Sequence, residues 1–489
     1  MKTKFFRISA LIICLIMIFS LCSCKGNSQD DVSSVAQSNP SSVGDVTSED
    51  ASSEETTSEN ASSQAVSSAI ITDNAVRQNY KPIALTVSFY EASSGTYGFT
   101  WNAVSVPLKP VLQVCEGKTF NANSCKEYTA TAEKYETLDI RTTNRGLAKA
   151  QVTLKANTYY TYRAYDKDAE IGSEPVTFKT VDYKAKSFSF VHASDTNIPT
   201  KSTDSTHSAI GTGAEFGKTL AGISKTNPNS AFILHSGNML DNVHETYWRS
   251  MFEDNAKYLS KTPVMLAAGK KEANDKNAIF EHFNVKITDQ DVSKGMYYTY
   301  DIGDCKFIVL NTNLLGPNGE LATSQYNWLK RTLEGNTKKW TIVSMHTAIY
   351  STGSGSLSSG ATKIREQVYK LFTRYNVDLV LQGNDYVYSK TYPILDTGAA
   401  DRNPEYEVID SVKYTVNPKG TIYAVHGSSG NLKGSPTSSV DMSLFELSGK
   451  SNPNSWADIS IDGNKLTVKV MYLDNGTPKL WNSYGILKK

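Results

Sequence analysis

Net charge is almost absent from this chain of 489 residues: 50 lysines and arginines face 49 aspartates and glutamates, leaving a formal +1 at neutral pH. That balance gives no case for nucleic acid or for an acidic partner. Cysteine is scarce as well. Of 6 cysteines, Cys14, Cys22 and Cys24 fall in the N-terminal segment, and no two are spaced as CxxC, which leaves no thiolate metal site. Cys115 and Cys125 are placed to close a small loop in an oxidising compartment, while Cys305, inside the apolar stretch CKFIVL, reads as a buried thiol. Aromatic residues are nearly missing between Lys25 and Ile70, where Ser, Thr, Asp, Glu, Ala and Val dominate. Such a composition buries too little apolar surface to offset its chain entropy, so residues 25–77 are expected to form a disordered, Ser-rich linker that holds the folded part tens of ångströms from its point of attachment.

What precedes the linker is an export signal. Lys2, Lys4 and Arg7 come before an apolar run from Ile8 to Phe19, too short to span a bilayer, and the sequence LCSC then ends at Cys24. Leu21 and Ser23 stand at the −3 and −1 positions of a bacterial lipobox, with Cys22 an unusual residue at −2. The expectation is a lipoprotein signal over 1–24, with Cys24 lipid-modified and the protein exported and anchored to the membrane at the bacterial cell surface. The other reading is a plain secretory signal, against which no A-x-A site is in view.

Beyond the linker lie two differently patterned regions. From 78 to 182, short runs alternate apolar and polar positions between turns: IALTVSFY, TYGFTWNAV, KPVLQVCEG, AKAQVTLKANTYYTYRAYD and EPVTFKTV. This predicts a β-sandwich. From 186 to 489, apolar strands (SFSFVHA, AFILHS, PVMLAA, CKFIVLN, WTIVSM, VDLVLQ, GTIYAVHG) alternate with helical patterns such as VHETYWRSMFEDNAKYL and KIREQVYKLFTRY, which is the signature of an α/β layered fold. The junction is expected near Asp182 to Lys186.

Five strand-to-loop passages in the second region run FSFVHASDTN, FILHSGNMLDN, PVMLAAGKKEAND, WTIVSMHTAIYS and VDLVLQGNDYVYSKTYPI. In their order and framing they resemble the calcineurin-like metallophosphoesterases, particularly the purple-acid-phosphatase-like branch. There the loops read D-x-[HQ], GD-x-x-D, GNH[ED], a lone H and GH-x-H. Trp101 and the run LKANTYYTYRA resemble the fibronectin type III module that precedes the catalytic domain in that branch. The resemblance implies a fibronectin III-like β-sandwich followed by a four-layer α/β/β/α sandwich with its site at the C-terminal ends of the central strands. It also implies two metal ions such as Fe, Zn or Mn. The sandwich aromatics are open to two readings, core packing or a carbohydrate-binding face.

Mapped onto those loops, most metal ligands are substituted. Asp195 keeps the first carboxylate position and His346 keeps the lone histidine. Asn197 falls where the branch has His or Gln, Asn238 replaces the bridging Asp, Lys270 replaces the Asn of GNH, and Asn384 and Tyr386 replace both histidines of GH-x-H. Lys271 stands at the family's leaving-group histidine. An amide bridges two cations poorly, having one acceptor oxygen and no charge. Two unit charges about 4 Å apart at an effective dielectric of ~20 interact by roughly 4 kcal/mol, so a lysine ammonium opposes a divalent ion by about twice that. No metal cofactor is therefore expected, and Lys270 and Lys271 become anion-binding candidates.

Several readings stay open. Asp195 and His346 are either relics held by hydrogen bonds or residual ligands. Lys270 either faces solvent or pairs with Asp195. His192 and His235 end strands near the site and are either ordinary buried histidines or substitute ligands, and Asp241 matches the second acid of GD-x-x-D. Two functions follow: a non-catalytic binding or scaffold module for a surface polymer, glycan or protein, or an active phosphatase or phosphodiesterase with a rearranged or single-metal site. A metal-free hydrolase using Lys270, Lys271 and Glu272 is the third, and no nucleophile and base pair recommends it. For the anchor, Cys24→Ala is expected to release the protein from membranes into the medium, and unchanged membrane fractionation refutes the lipid assignment.

Overall fold

The computed structural model describes residues 71, 73–135, 145–198, 213–275, 278–287 and 297–489. The expected export signal, Cys24 and nearly all of the expected linker lie outside the described residues. Before the expected linker boundary at 77, the Asp73 side chain accepts from the Ala75 and Val76 amides and caps a helical turn over Asn74–Arg77, and Arg77 Nε donates to the Ala169 carbonyl at 2.8 Å. The described residues from there to Lys489 fall in one compact unit.

Among the described residues of the first region are nine strands: β1 (Ile83–Glu91), β2 (Thr96–Ala103), β3 (Pro110–Glu116), β4 (Lys126–Thr129), β5 (Thr131–Tyr135), β6 (Arg145–Thr153), β7 (Tyr159–Asp166), β8 (Ile171–Gly172) and β9 (Val176–Lys179). One sheet has the order β1-β2-β6-β5; the other runs β4-β3-β7-β8, with β9 also paired to β7. Strand alternation divides the aromatics of β7. Tyr160 and Tyr162 are buried with Trp101, Phe99 and Phe178, and Phe99, Tyr162 and Phe178 meet edge to face, an arrangement that suits the ring quadrupoles. Tyr159, by contrast, is 40% exposed on the outer face. Cys115 and Cys125 are disulfide-bonded, and Cys305 is a buried free thiol.

The second region holds two sheets. Their strands are β10 (Ser187–Ala193), β11 (Ile233–His235), β12 (Val264–Leu266), β13 (Tyr298–Ile302), β14 (Cys305–Val309), β15 (Trp340–Met345), β16 (Leu379–Gln382), β17 (Tyr388–Thr391), β18 (Tyr406–Ile409), β19 (Val412–Val416), β20 (Ile422–His426), β21 (Phe445–Gly449), β22 (Trp456–Asp462), β23 (Lys465–Asp474) and β24 (Thr477–Leu487). The orders are β12-β11-β10-β22-β23-β24-β19-β18 and β13-β14-β15-β16-β20-β17-β21. β10, β11 and β12 are parallel, as are β14, β15, β16 and β20. These parallel strands are covered on both faces, which is why they read as continuous apolar runs rather than alternating ones. Helices α1 (Ala214–Thr226) and α2 (Glu245–Asp254) accompany the first sheet; α3 (Thr323–Glu334) and α4 (Ser359–Arg374) press Trp328, Leu329, Ile364, Val368 and Phe372 onto the outer face of the second.

Between the sheets, Phe190 stacks on Phe232 with centroids 5.0 Å apart, and Phe307 meets both edge-on at 5.2 Å. The same core continues into the sandwich. Phe89 of β1 touches Phe232 and Tyr300, and Tyr162 Oη donates to the Ser260 carbonyl at 2.7 Å. One chain of buried polar groups crosses this core. Tyr484 Oη bonds His426 Nε2 at 2.9 Å, His426 Nδ1 bonds His192 Nδ1 at 2.9 Å, and His192 Nε2 bonds Ser236 Oγ at 2.8 Å, which reaches Ser344 Oγ at 2.9 Å. Each imidazole nitrogen thus has a partner, so the buried groups go unpenalised only while both rings stay neutral.

Burial drives the His192 pKa well below its ordinary value, with the neighbouring His426 and His235 adding to it, and pushes His426 down to about 3. Each ring therefore contributes stability that is present above the unfolded histidine value and is lost as pH falls from there toward the folded value, at up to about 1.4 kcal/mol per pH unit per group. The expected observation is that the ring nitrogen NMR signals of His192 and His426 keep their neutral pattern at pH 5. Protonation of either ring at that pH in folded protein contradicts the arrangement.

Candidate functional site

All five predicted loops leave the C-terminal ends of neighbouring strands: Asp195 follows β10, Asn238 follows β11, Gly269 to Glu272 follow β12, His346 follows β15, and Asn384 to Tyr386 follow β16. The backbone there is unusual. Asp195, Asn197, Asn238, Asn384, Asp385 and Tyr386 all have φ between 45° and 57°, a region that Asn and Asp tolerate and a bulky Tyr rarely adopts.

The loops are tied together by a residue that enters the sequence reading only in the third motif, as a member of the disfavoured metal-free hydrolase set. Glu272 is 1% exposed. Its Oε2 accepts from the Asn238 and Gly269 amides, each at 2.9 Å, and its Oε1 from the Leu240 amide at 3.1 Å. Burial raises this carboxyl above the ordinary range, and the amide bonds act in the opposite direction. Gly269 permits the approach: a Cβ there would stand 2.0 Å from the Asn238 nitrogen. Asp385, passed over in the sequence because it lies between the two motif positions, does the same job for the fourth and fifth loops. It accepts from the amides of Gly355 at 2.6 Å and Ser356 at 3.2 Å.

Within this frame each motif residue has a definite setting. Asp195 is fully buried; its Oδ2 accepts from Ser194 Oγ at 2.5 Å and from the Asn384 amide at 2.7 Å. Its Oδ1 has no partner in hydrogen-bond geometry, although the Asn238 amide is close enough to favour the charged form. Burial outweighs these and moves the carboxyl up to about 7. His346 Nδ1 donates to the Ser236 carbonyl at 2.8 Å. Burial holds its pKa down, so the neutral ring carries its lone pair on Nε2. Asn238 has its Oδ1 occupied by the Lys271 amide at 3.1 Å. Burial, then the charges of Asp195 and Asp241, lift the Tyr386 hydroxyl to about 12, with the Asn238 side chain acting in the opposite direction, leaving a neutral phenol. Asn197 Nδ2 is buried without a partner.

The pairing of Lys270 with Asp195 that the sequence leaves open does not form. Glu272 turns inward, which puts Lys270 on the exposed side of its turn, away from the fully buried Asp195. Lys271 is the cation that engages the site, pairing Nζ with Asp241 Oδ1 at 2.8 Å. The neighbouring His235 has both ring nitrogens engaged: Nδ1 accepts from the Gly237 amide, Nε2 faces Thr196 Oγ1 at 3.4 Å, and burial pushes its pKa down to about 3.

Residues 188–388, which contain all five loops, match the calcineurin-like phosphoesterase family. The chain carries a calcineurin-like phosphoesterase domain. This domain is similar to curated purple acid phosphatases. Purple acid phosphatase 23 of Arabidopsis thaliana is 24% identical over 220 residues, 42% of each chain. A protein described as probable inactive purple acid phosphatase 24, also from Arabidopsis thaliana, is 28% identical over 142 residues, 28% of this chain and 22% of that one. The chain thus spans well under half the length of these relatives. Among solved structures, a purple acid phosphatase from yellow lupin seeds superposes with a TM-score of 0.67 at 16% identity, covering 84% of this chain and 75% of that one, which is a likeness of fold.

A dinuclear centre does not fit the residues of this calcineurin-like phosphoesterase domain. Asn238 at the bridging position has its one acceptor oxygen already bonded, Asn384 and Tyr386 offer neutral groups, and an ammonium is fixed at the rim. Among the described residues no group of three or more His, Cys, Asp or Glu side chains is disposed to hold a metal ion. The energetic weight of the site has moved to Glu272. Replacing it by Ala strands three buried amides and is expected to lower unfolding stability by at least about 3 kcal/mol. Lys271→Ala is expected to cost under about 1 kcal/mol, and Lys270→Ala to stay within about 0.5 kcal/mol. Urea unfolding of the three variants checks the ranking.

Proposed function

We propose that the protein is a non-catalytic member of its family, exported and lipid-anchored through Cys24 at a bacterial surface, whose phosphoesterase domain acts as a binding or scaffold module. In this reading the N-terminal sandwich is fibronectin III-like and the second region is the four-layer α/β/β/α sandwich of the family. The supporting observation is the state of Asn238: the bridging carboxylate is gone, and the amide oxygen in its place is bonded to the backbone of Lys271, whose ammonium is itself held at Asp241. Loss of anionic charge and gain of a fixed cation act together against any divalent ion. The description of one relative as a probable inactive purple acid phosphatase agrees with this reading.

A second reading, a phosphatase or phosphodiesterase working with one metal, draws on Asp195 Oδ1 and His346 Nε2. These two retained donors are not consumed by the bonds described above. Elemental analysis together with assays on an aryl phosphate and an aryl phosphodiester separates the two. The non-catalytic reading expects no stoichiometric transition metal and negligible turnover. One Fe, Zn or Mn per chain, with metal-dependent turnover abolished by His346→Ala, would establish the enzyme instead.

A further inference from the structure

A cleft of about 550 Å³ lies at the other end of β10 and β11 from the phosphoesterase loops, lined by Tyr159 and Lys179 of the sandwich and by Lys257, Tyr258 and Lys261 of the second region. That volume is within the usual range for ligand sites. Its two walls repeat one device. On one side, Lys118 Nζ sits 4.1 Å and Lys179 Nζ 5.7 Å from the centroid of Tyr159; on the other, Lys257 Nζ sits 4.8 Å from that of Tyr258. The Cys115–Cys125 disulfide closes the loop that carries Lys118. Cation and ring hold each other in place, so the ammonium groups are ordered without a carboxylate partner.

The charge around the cleft is one-sided. Among the described residues, Lys118, Lys179, Lys257 and Lys261 form no ion pair within 4 Å, whereas the single carboxylate among the lining residues, Asp182, accepts from the Lys184 amide. Lys179, Lys257 and Lys261 are exposed, and so are Asn157 and Asn229, whose amides stand at the same cleft. Rings for the apolar face of a sugar, amides for its hydroxyls and lysines for its carboxylates are the complement of one ligand chemistry. We propose that this cleft binds a segment of an acidic polysaccharide, sugar faces on Tyr159 and Tyr258 and carboxylates on Lys179, Lys257 and Lys261. The acidic ligand is called for by the local lysines of the cleft and not by the overall charge of the chain, whose +1 lacks the broad basic field that the higher charge density of a nucleic acid calls for. The site is independent of whether the phosphoesterase loops hold metal.

The test is calorimetry on the full chain with tetragalacturonate, maltotetraose and a short oligothymidylate, at low salt. The expected result is binding of tetragalacturonate at least tenfold tighter than of the other two, weakened at least tenfold by Lys257→Gln/Lys261→Gln and by Tyr159→Ala, and weakened by salt. All three positions are solvent-facing, and far-UV circular dichroism verifies the fold of each variant; the lysine pair alone decides the matter if Tyr159→Ala proves misfolded. No binding of tetragalacturonate, equal or tighter binding of maltotetraose or oligothymidylate, or folded variants that bind like the parent chain would overturn the proposal.

Discussion

The buried carboxylate of Glu272 is the constraint on which the arrangement of the loops rests. It accepts three backbone amides from two separate loops, and a carboxylate is the side chain whose two oxygens can do so without leaving a donor unmatched. Once that link is made, the neighbouring residues have little freedom. Lys271 is drawn in far enough for its amide to reach Asn238, and Lys270 is turned out. Bonded amides replace much of what cations would contribute in holding such loops, and Asp385 repeats the solution on the opposite side of the site.

That arrangement explains how the domain keeps its shape although so much of the ligand set is changed. Set beside the family's loop motifs, several charged or basic positions here hold neutral amides and a phenol, and burial pushes Asp195 and His346 toward neutrality, raising the carboxyl of the one and lowering the imidazole of the other. The loops are joined by interlocking polar contacts, with an ion pair at the rim between Lys271 and Asp241.

Much of this was legible in the sequence. The parallel strands announce themselves as apolar runs, and the loop motifs keep the order of the family they resemble, so the convergence of Asp195, Asn238, His346 and Asn384 was implied by that resemblance. The direction of side chains within a tight turn did not. Lys270 and Lys271 are adjacent and chemically identical, and only the inward turn of Glu272 decides which one engages the site. The division of the β7 aromatics was half visible: strand alternation separates Tyr159 from Tyr160, but nothing in the spacing says which face is covered. Asp385 was missed because a carboxylate that accepts amides from a distant loop leaves no local pattern.

The left-handed backbone of the site carries a consequence for how its residues were replaced. Positions 195, 197, 238 and 384 hold Asp or Asn in a conformation most side chains resist. The choice at each is therefore governed by torsion angles before coordination is considered, and Asn is the one neutral residue that matches Asp in both shape and tolerance. An amide at position 238 is thus the neutral side chain that this turn admits, and it leaves the main chain in the posture an aspartate would need.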